Sequence, residues 1–421
     1  MSGRVSALGA QARTRTAALR ARLSKDSRAA LGRRAGRIQL FPAVALALFA
    51  GLGVAFVAYG FLRWITPVDT SKQAAEIDVT RIALTVVAGV GGVVALVIAY
   101  RRQRDLEQGR FVERFGAAAA QLGATDVAVR IAGAYAMAGV ADESDGLRRQ
   151  QCIDVLCGYL RLPYSPEIGA NHQTKHVQKR AIREDTGEDE HHFEYRQNDR
   201  EVRATIVRVI ADHLRPTAEY SWSPSDFDFR TAHLEDVDFT TATFTGDARF
   251  EKATFTGDAS FYGATFTGDA SFYGATFTGD ASFHGATFTT ARFGKTTFTG
   301  DASFHGTTFT GDALFEKATF TGNASFGGKA TFTGNALFER ATFTGNARFD
   351  GATFTGYAHF PNVAFAGRTS FERVDFGPRP AIFTEPRQWG PPPPTFDWSE
   401  NGQGKPSNVA PADWPPTLAA S

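Results

Sequence analysis

The sequence predicts a multidomain chain in three parts: a two-helix transmembrane hairpin, a small all-α region and an all-β repeat domain. Three observations carry this. Two uncharged runs, Leu40–Leu62 and Ile82–Tyr100, are 23 and 19 residues long. Apolar residues then recur at helical spacing between positions 103 and 215. Beyond position 227, Phe returns at intervals of five or six, a rhythm that neither a helix nor a flat strand requires.

The totals exclude more than they identify. A chain of 421 residues has room for two or three domains, and a net charge of +1 names no partner. Cys152 and Cys157 stand five apart in a helical stretch, on different sides. They suit neither a secreted disulfide framework nor a zinc site, and read as two idle thiols.

Residues 1–38 form a basic amino-terminal arm, with ten Lys/Arg against the single acid Asp26. Residues 39–101 hold the hairpin. At 1.5 Å per residue both uncharged runs (40–62 and 82–100) suffice for a hydrocarbon core of about 30 Å. The connecting loop Arg63–Arg81 balances three basic against three acidic residues, whereas the arm and "RRQR" at 101–104 carry the basic excess. The positive-inside rule then puts the chain in the cell membrane with both termini cytoplasmic. Ala47, Gly51 and Ala55 on one run, and Ala88 and Gly92 on the other, leave room for close helix packing.

Residues 102–216 read as a cytoplasmic helical region. Phe111, Phe115, Ala118 and Leu122 line one helix that Gly123 ends. Thr125 can cap a second, with Ile131, Tyr135 and Ala138 on one face. Ile153, Leu156, Cys157 and Leu160 mark a third, ended by Pro163, and Val202, Ile206, Val209 and Ile210 a fourth. The middle pair resembles a HEAT-type helical hairpin. Between the third and fourth helices, residues 164–198 read as a polar loop. It gathers His172, His176, His191 and His192 near Glu188, Asp189 and Glu190, but without the ligand spacing of a metal site, and a solvated loop of mixed charge is the expectation. The tail, 388–421, is Pro-rich and expected to be disordered.

The domain at 217–387 is built from blocks such as ATFTGD and ASFYG, each with a small residue two positions before its Phe. From Phe229 to Phe376, with Leu234 standing in once, there are 28 such central positions. A single turn of such blocks cannot bury its own Phe, so turns must stack. The pattern resembles the pentapeptide-repeat family, whose unit is a small residue, a polar one, Leu or Phe, and two more; "AHLED" at 232–236 and "ATFTT" at 286–290 fit closely. The resemblance implies a right-handed quadrilateral β-helix with four blocks per coil. It also implies seven coils for 28 blocks, a rod of about 34 Å at the strand spacing. In the six-residue blocks the extra residue follows Gly: Asp247, Asp258, Asp269, Asp280, Asp301, Asp312, then Asn323, Asn335 and Asn346. Positive φ at the Gly and an outward bulge at a corner are expected there. "ATFTT" lacks the extra residue and "ASFGGK" at 324–329 gains one.

No catalytic, cofactor-binding or metal residues emerge. No nucleophile turn or phosphate loop is present, "GVGG" at 89–92 falls inside an uncharged run, and His284, His305 and His359 occupy outward repeat positions. The expectation is a non-enzymatic protein that presents its β-helix to a cytoplasmic protein and has the lipid bilayer as its other partner. No cofactor or small-molecule substrate is expected. The resemblance offers an alternative, because some pentapeptide-repeat proteins protect DNA gyrase by mimicking duplex DNA. Residues 228–377, with 16 acids and 11 bases, fall far short of a duplex's charge of about 20 per 34 Å. An enzyme or metal protein built on the helical region is the remaining alternative. The Ala-, Arg- and Gly-rich composition resembles that of actinobacterial proteins.

Overall fold

The computed structural model describes residues 75–419 except 167–174, 182–187 and 195–198, together with five helical positions between 53 and 64. The basic arm and most of the run Leu40–Leu62 lie outside the described residues. The first described helix, α1, is Ala75–Leu122. It joins the second uncharged run to the expected helix at 111–122 in one piece, and it begins inside the loop expected to reach Arg81. No Pro interrupts it, and "RRQR" consists of good helix formers. Among the described residues no helix is long and apolar enough to cross a membrane. The side chains of 82–84, 86, 87 and 90 lie outside that set.

Residues 111–421 form one compact unit. At its start the last turns of α1 meet α2 (Val127–Asp142), α3 (Gly146–Leu160) and α4 (Asp199–Leu214) around a core that includes Leu122, Met137, Ile153, Leu156 and Ile206. The cap of α2 is Asp126 rather than Thr125; its Oδ1 accepts from Ala128 N at 2.7 Å. A carboxylate is the better acceptor beside the positive helix end. Tyr135, expected on the apolar face, is half exposed, and Arg130 takes the interior place. Arg130 donates to Asp199 Oδ1 (2.6 Å) and Tyr159 OH (3.0 Å), and Tyr159 donates to the same oxygen (2.5 Å). Burial with a paired, hydrogen-bonded partner is how such a charge is tolerated inside a core.

The segment expected as a polar loop contains an antiparallel hairpin, β1 (Lys175–Ala181) with β2 (Glu188–Glu194). Its physical basis is cross-strand charge. The basic strand KHVQKRA faces the acidic strand EDEHHFE, with Arg180 opposite Asp189 and Lys179 bonded to Glu190 at 2.7 Å.

From Phe227 onward the chain coils, and each turn pairs in parallel with the next, Thr254 with Thr276 and Thr276 with Thr297. The central residues fall into four columns, every fourth block returning to the same one. Column one is Phe229, Phe250, Phe272, Phe293, Phe315, Phe338 and Phe360. Columns two, three and four begin at Leu234, Phe239 and Phe244. Rings in one column stack at close to the strand spacing, as in Phe293–Phe315 (4.9 Å, 5°) and Phe304–Phe326 (4.8 Å, 0°). Columns one and three meet edge to face across the axis, Phe304–Phe315 at 5.3 Å and 89°. Both are favoured geometries for aromatic quadrupoles. The interior is therefore solid, and each buried Phe contributes on the order of 1.5–3 kcal/mol. Ala fills the small position, and where Thr replaces it the hydroxyl is bonded: Thr296 and Thr307 donate to the carbonyls of Phe272 and Phe283, both at 2.7 Å.

Both ends of the β-helix are closed. At the amino-terminal end α3 and α4 pack on the first coil. Arg203 donates to His233 O (3.2 Å), Tyr164 to Glu235 (2.5 Å), and Arg161 pairs with Asp228. Trp222 is fully buried, stacks on His213 at 4.0 Å and donates to Asp142 at 2.8 Å. At the other end the tail is not disordered. Phe383, Trp389, Phe396 and Trp398 continue the four columns as an eighth coil above Phe360, Phe365, Phe371 and Phe376. Trp414 packs over Phe396 at 5.1 Å, and Val409–Ala410 pairs with Ala381–Ile382. The Pro-rich composition had masked four aromatics able to cover an otherwise exposed ring layer.

Candidate interaction surface

With the interior filled, only outward side chains can meet a partner. Two kinds of corner carry the chain around. After columns one and three the turn is tight and closed by a hydrogen bond such as Ala264 N–H to Phe261 O (3.1 Å). Its third residue has positive φ, supplied by Gly263 (62°), Gly274 (68°) and Gly285 (65°), or by Lys252, Lys295 and Lys317.

After columns two and four comes the Gly-Asp or Gly-Asn corner. Apart from Gly257 (φ 74°), its glycines have no positive φ. Glycine is needed there because stacked coils touch: a Cβ on Gly279 would lie 2.3 Å from Gly257 O, and one on Gly300 2.4 Å from Gly279 O. The extra residue is not a bulge outside the ladder. Its carbonyl accepts from the coil below, as Asp280 O does from Ala259 N (2.8 Å). Its N–H goes to the side chain of the corresponding residue below. Asp280 N bonds Asp258 Oδ1 (3.1 Å), Asp301 N bonds Asp280 Oδ1 (2.9 Å), Asn323 N bonds Asp301 Oδ1 (2.8 Å) and Asn346 N bonds Asn323 Oδ1 (3.2 Å). Asp and Asn serve equally, since both present Oδ1. On the other corner Thr290 occupies the short block, and the bonding resumes from Asp312 to Asn335 N (3.0 Å).

The flat faces are equally regular. Outward residues flanking columns two and four are threonines over most coils. The face before column three presents Ser260, Ser282, Ser303, Ser325, Arg348 and Ser370 in register. The face before column one presents Ser271, Arg292, Leu314, Leu337 and His359.

The histidines singled out in the sequence are not brought together with an acid and a nucleophile. His284 stacks between Tyr262 (5.1 Å) and His305 (4.8 Å) on one tight corner, while His359 lies on the Leu face. In the hairpin His191 and His192 are exposed, and His192 Nε2 lies 3.2 Å from Glu190. Among the described residues no group of three or more His, Cys, Asp or Glu could hold a metal ion. His172 lies outside the described residues. Cys152 and Cys157 are buried, and burial pushes their thiols up to about 11 and about 12, which leaves no reactive thiolate at neutral pH. Where α3 and α4 pack on the first coil, burial lowers the Arg203 guanidinium and the His233 imidazole and, with help from Glu235, raises the Tyr164 hydroxyl. The Arg130–Tyr159–Asp199 network was missed in the sequence; its one trace is Arg at a core position of α2.

This geometry defines a β-solenoid repeat protein. Residues 229–276, 261–308, 293–328 and 329–375 match the family described as pentapeptide repeats (9 copies), so the region from 229 to 375 is a pentapeptide-repeat domain. No curated protein and no solved structure shows significant similarity to the chain.

Proposed function

We propose that this is a non-enzymatic bacterial scaffold, anchored in the membrane by the two uncharged runs, that offers its β-helix to a protein partner in the cytoplasm. The observation that carries the reading is the filled interior: rings stacked at 4.6–5.5 Å through columns one and three leave no interior cavity for a small molecule. What remains is a stiff, regular exterior, closed at both ends, which suits contact with another macromolecule. The anchor rests on the length and lack of charge of Leu40–Leu62 and Ile82–Tyr100, and its orientation on the basic flanks.

Two experiments test the two halves of this reading. Carbonate-washed membranes should retain the tagged full-length chain, and release into the supernatant would remove the anchor. Crosslinking capture from those membranes should recover a stoichiometric protein partner that depends on residues 217–421. Recovery unchanged when those residues are deleted would remove the scaffold role.

A further inference from the structure

The repeat is so regular that its departures are informative, and they are not scattered. Arg348 stands where neighbouring coils have Ser325 and Ser370. Arg368 takes the corner place held below it by Asn346 and Asn323; its N–H still goes to Asn346 Oδ1 (3.1 Å). Lys329 is the inserted residue of ASFGGK, and Arg373 fills a positive-φ corner (59°) that Gly351 fills one coil earlier (70°). All four are exposed, and none of their side chains forms an ion pair or hydrogen bond among the described residues. They line two adjoining depressions of about 540 and 510 Å³ that share Ser325, Arg348 and Asp350. Three acids, Asp301, Asp350 and Glu372, line the same depressions, so the four cations outnumber the carboxylates by one; two of these acids also accept hydrogen bonds from neutral donors. Asp301 accepts from Asn323 N and Nδ2, and Asp350 accepts from Glu372 N (3.3 Å) and from Ser370.

The corner column changes in step. It runs Asp258, Asp280 and Asp301, then Asn323 and Asn346, then Arg368. Because Asp and Asn make the same hydrogen bond there, the ladder does not require this exchange; its consequence is electrostatic. Residues 228–328 carry 12 acids and 6 bases, whereas 329–377 carry 4 acids and 5 bases. The negative charge of the rod is removed over the coils where free cations gather.

Resting on the scaffold reading above, we infer that the groove around Arg348 is the docking surface, and that its occupant is a short acidic segment of the partner protein. The cationic coils span about 14 Å, room for roughly four extended residues. A longer polyanion such as nucleic acid would continue onto the Asp258–Asp301 corner and be repelled, so a short carboxylate-bearing peptide fits best.

The test uses the detergent-solubilised full chain and three fluorescent probes: a tetrapeptide of alternating Glu and Ala, its Gln counterpart, and an oligo-dT strand. The Glu peptide should bind, weaken as salt is added, and bind at least tenfold less tightly to the variant Arg348→Ser, Arg368→Asn, Arg373→Gly. Each replacement is the residue of a sibling coil, so the melting curve should be retained. Equal binding of the Gln peptide, tighter binding of oligo-dT, no binding of the Glu peptide, or an unaffected variant would each overturn the assignment. Membrane capture with both forms separates the two levels. A partner recovered equally by the variant sinks the groove and leaves the scaffold standing, whereas no partner with either form sinks the scaffold.

Discussion

Replacing Asp258, Asp280 and Asp301 together distinguishes a hydrogen-bonded ladder from a loose corner. Each side chain accepts the N–H of the residue one coil above, at 3.1, 2.9 and 2.8 Å. The triple Ala variant removes three acceptors. At about 1 kcal/mol per bond, with water able to reach these exposed groups, the expected loss is roughly 2–3 kcal/mol. The triple Asn variant keeps every acceptor and removes like charges stacked about one strand spacing apart, so its stability should equal or slightly exceed that of the parent, most clearly at low salt. Urea unfolding of a fragment covering 111–421, followed by circular dichroism, measures both. The fragment must reach the carboxy terminus, because three of the four aromatics of the eighth coil, Trp389, Phe396 and Trp398, lie beyond 387. Equal midpoints for the Ala and Asn variants would refute the ladder.

Other expectations follow from the same geometry. Phe277, stacked 4.3 Å from Phe255 and 4.9 Å from Phe298, should cost about 3–5 kcal/mol as Ala, and Asp there should abolish the β signal; a parental melting curve would contradict its inward placement. Gly300→Ala forces a Cβ to 2.4 Å from a backbone oxygen, whereas Gly351→Ala meets nothing within 4 Å but keeps a φ of 70°. Chemical denaturation should show a loss of about 1–2 kcal/mol for Gly351→Ala and a larger one for Gly300→Ala. Hydrogen bonding from Arg230, reinforced by Arg161, holds the Asp228 carboxyl down at about 2. A depressed carboxylate stabilises the fold above its unfolded value of about 3.9, so this contribution should fade as pH falls from about 4 toward 2. Asp228→Asn should flatten that limb of the stability–pH curve. Deleting 388–421 uncovers Phe365, Phe371 and Phe376, and sedimentation should show end-to-end association that the intact chain lacks.

The repeat made the β-helix legible, since Phe at every fifth or sixth position has to be buried by stacking, and columns through Phe272 or Phe326 follow by counting. The corner mechanism was less legible. Gly before Asp suggested positive φ, but the requirement is contact between successive coils, which only the stacked backbone reveals. The tail was misjudged because Pro and Gly outnumber its aromatics, although Trp389, Phe396, Trp398 and Trp414 are what the last ring layer needs. The hairpin at 175–194 could have been read from a basic heptad followed by an acidic one. The groove was hardest to see, because its cations come from three successive coils and converge only once the chain is wound.

Site-specific photocrosslinking in intact cells tests the central claim most directly. A benzophenone amino acid is placed at outward positions on three faces: Thr299, Ser325, and the pair Leu337 and His359. A discrete crosslinked protein is expected from Ser325, beside Arg348, and weak or no product from the other faces. Equal, diffuse labelling from all four positions, or none from any, would contradict the view that this β-helix is an interaction scaffold.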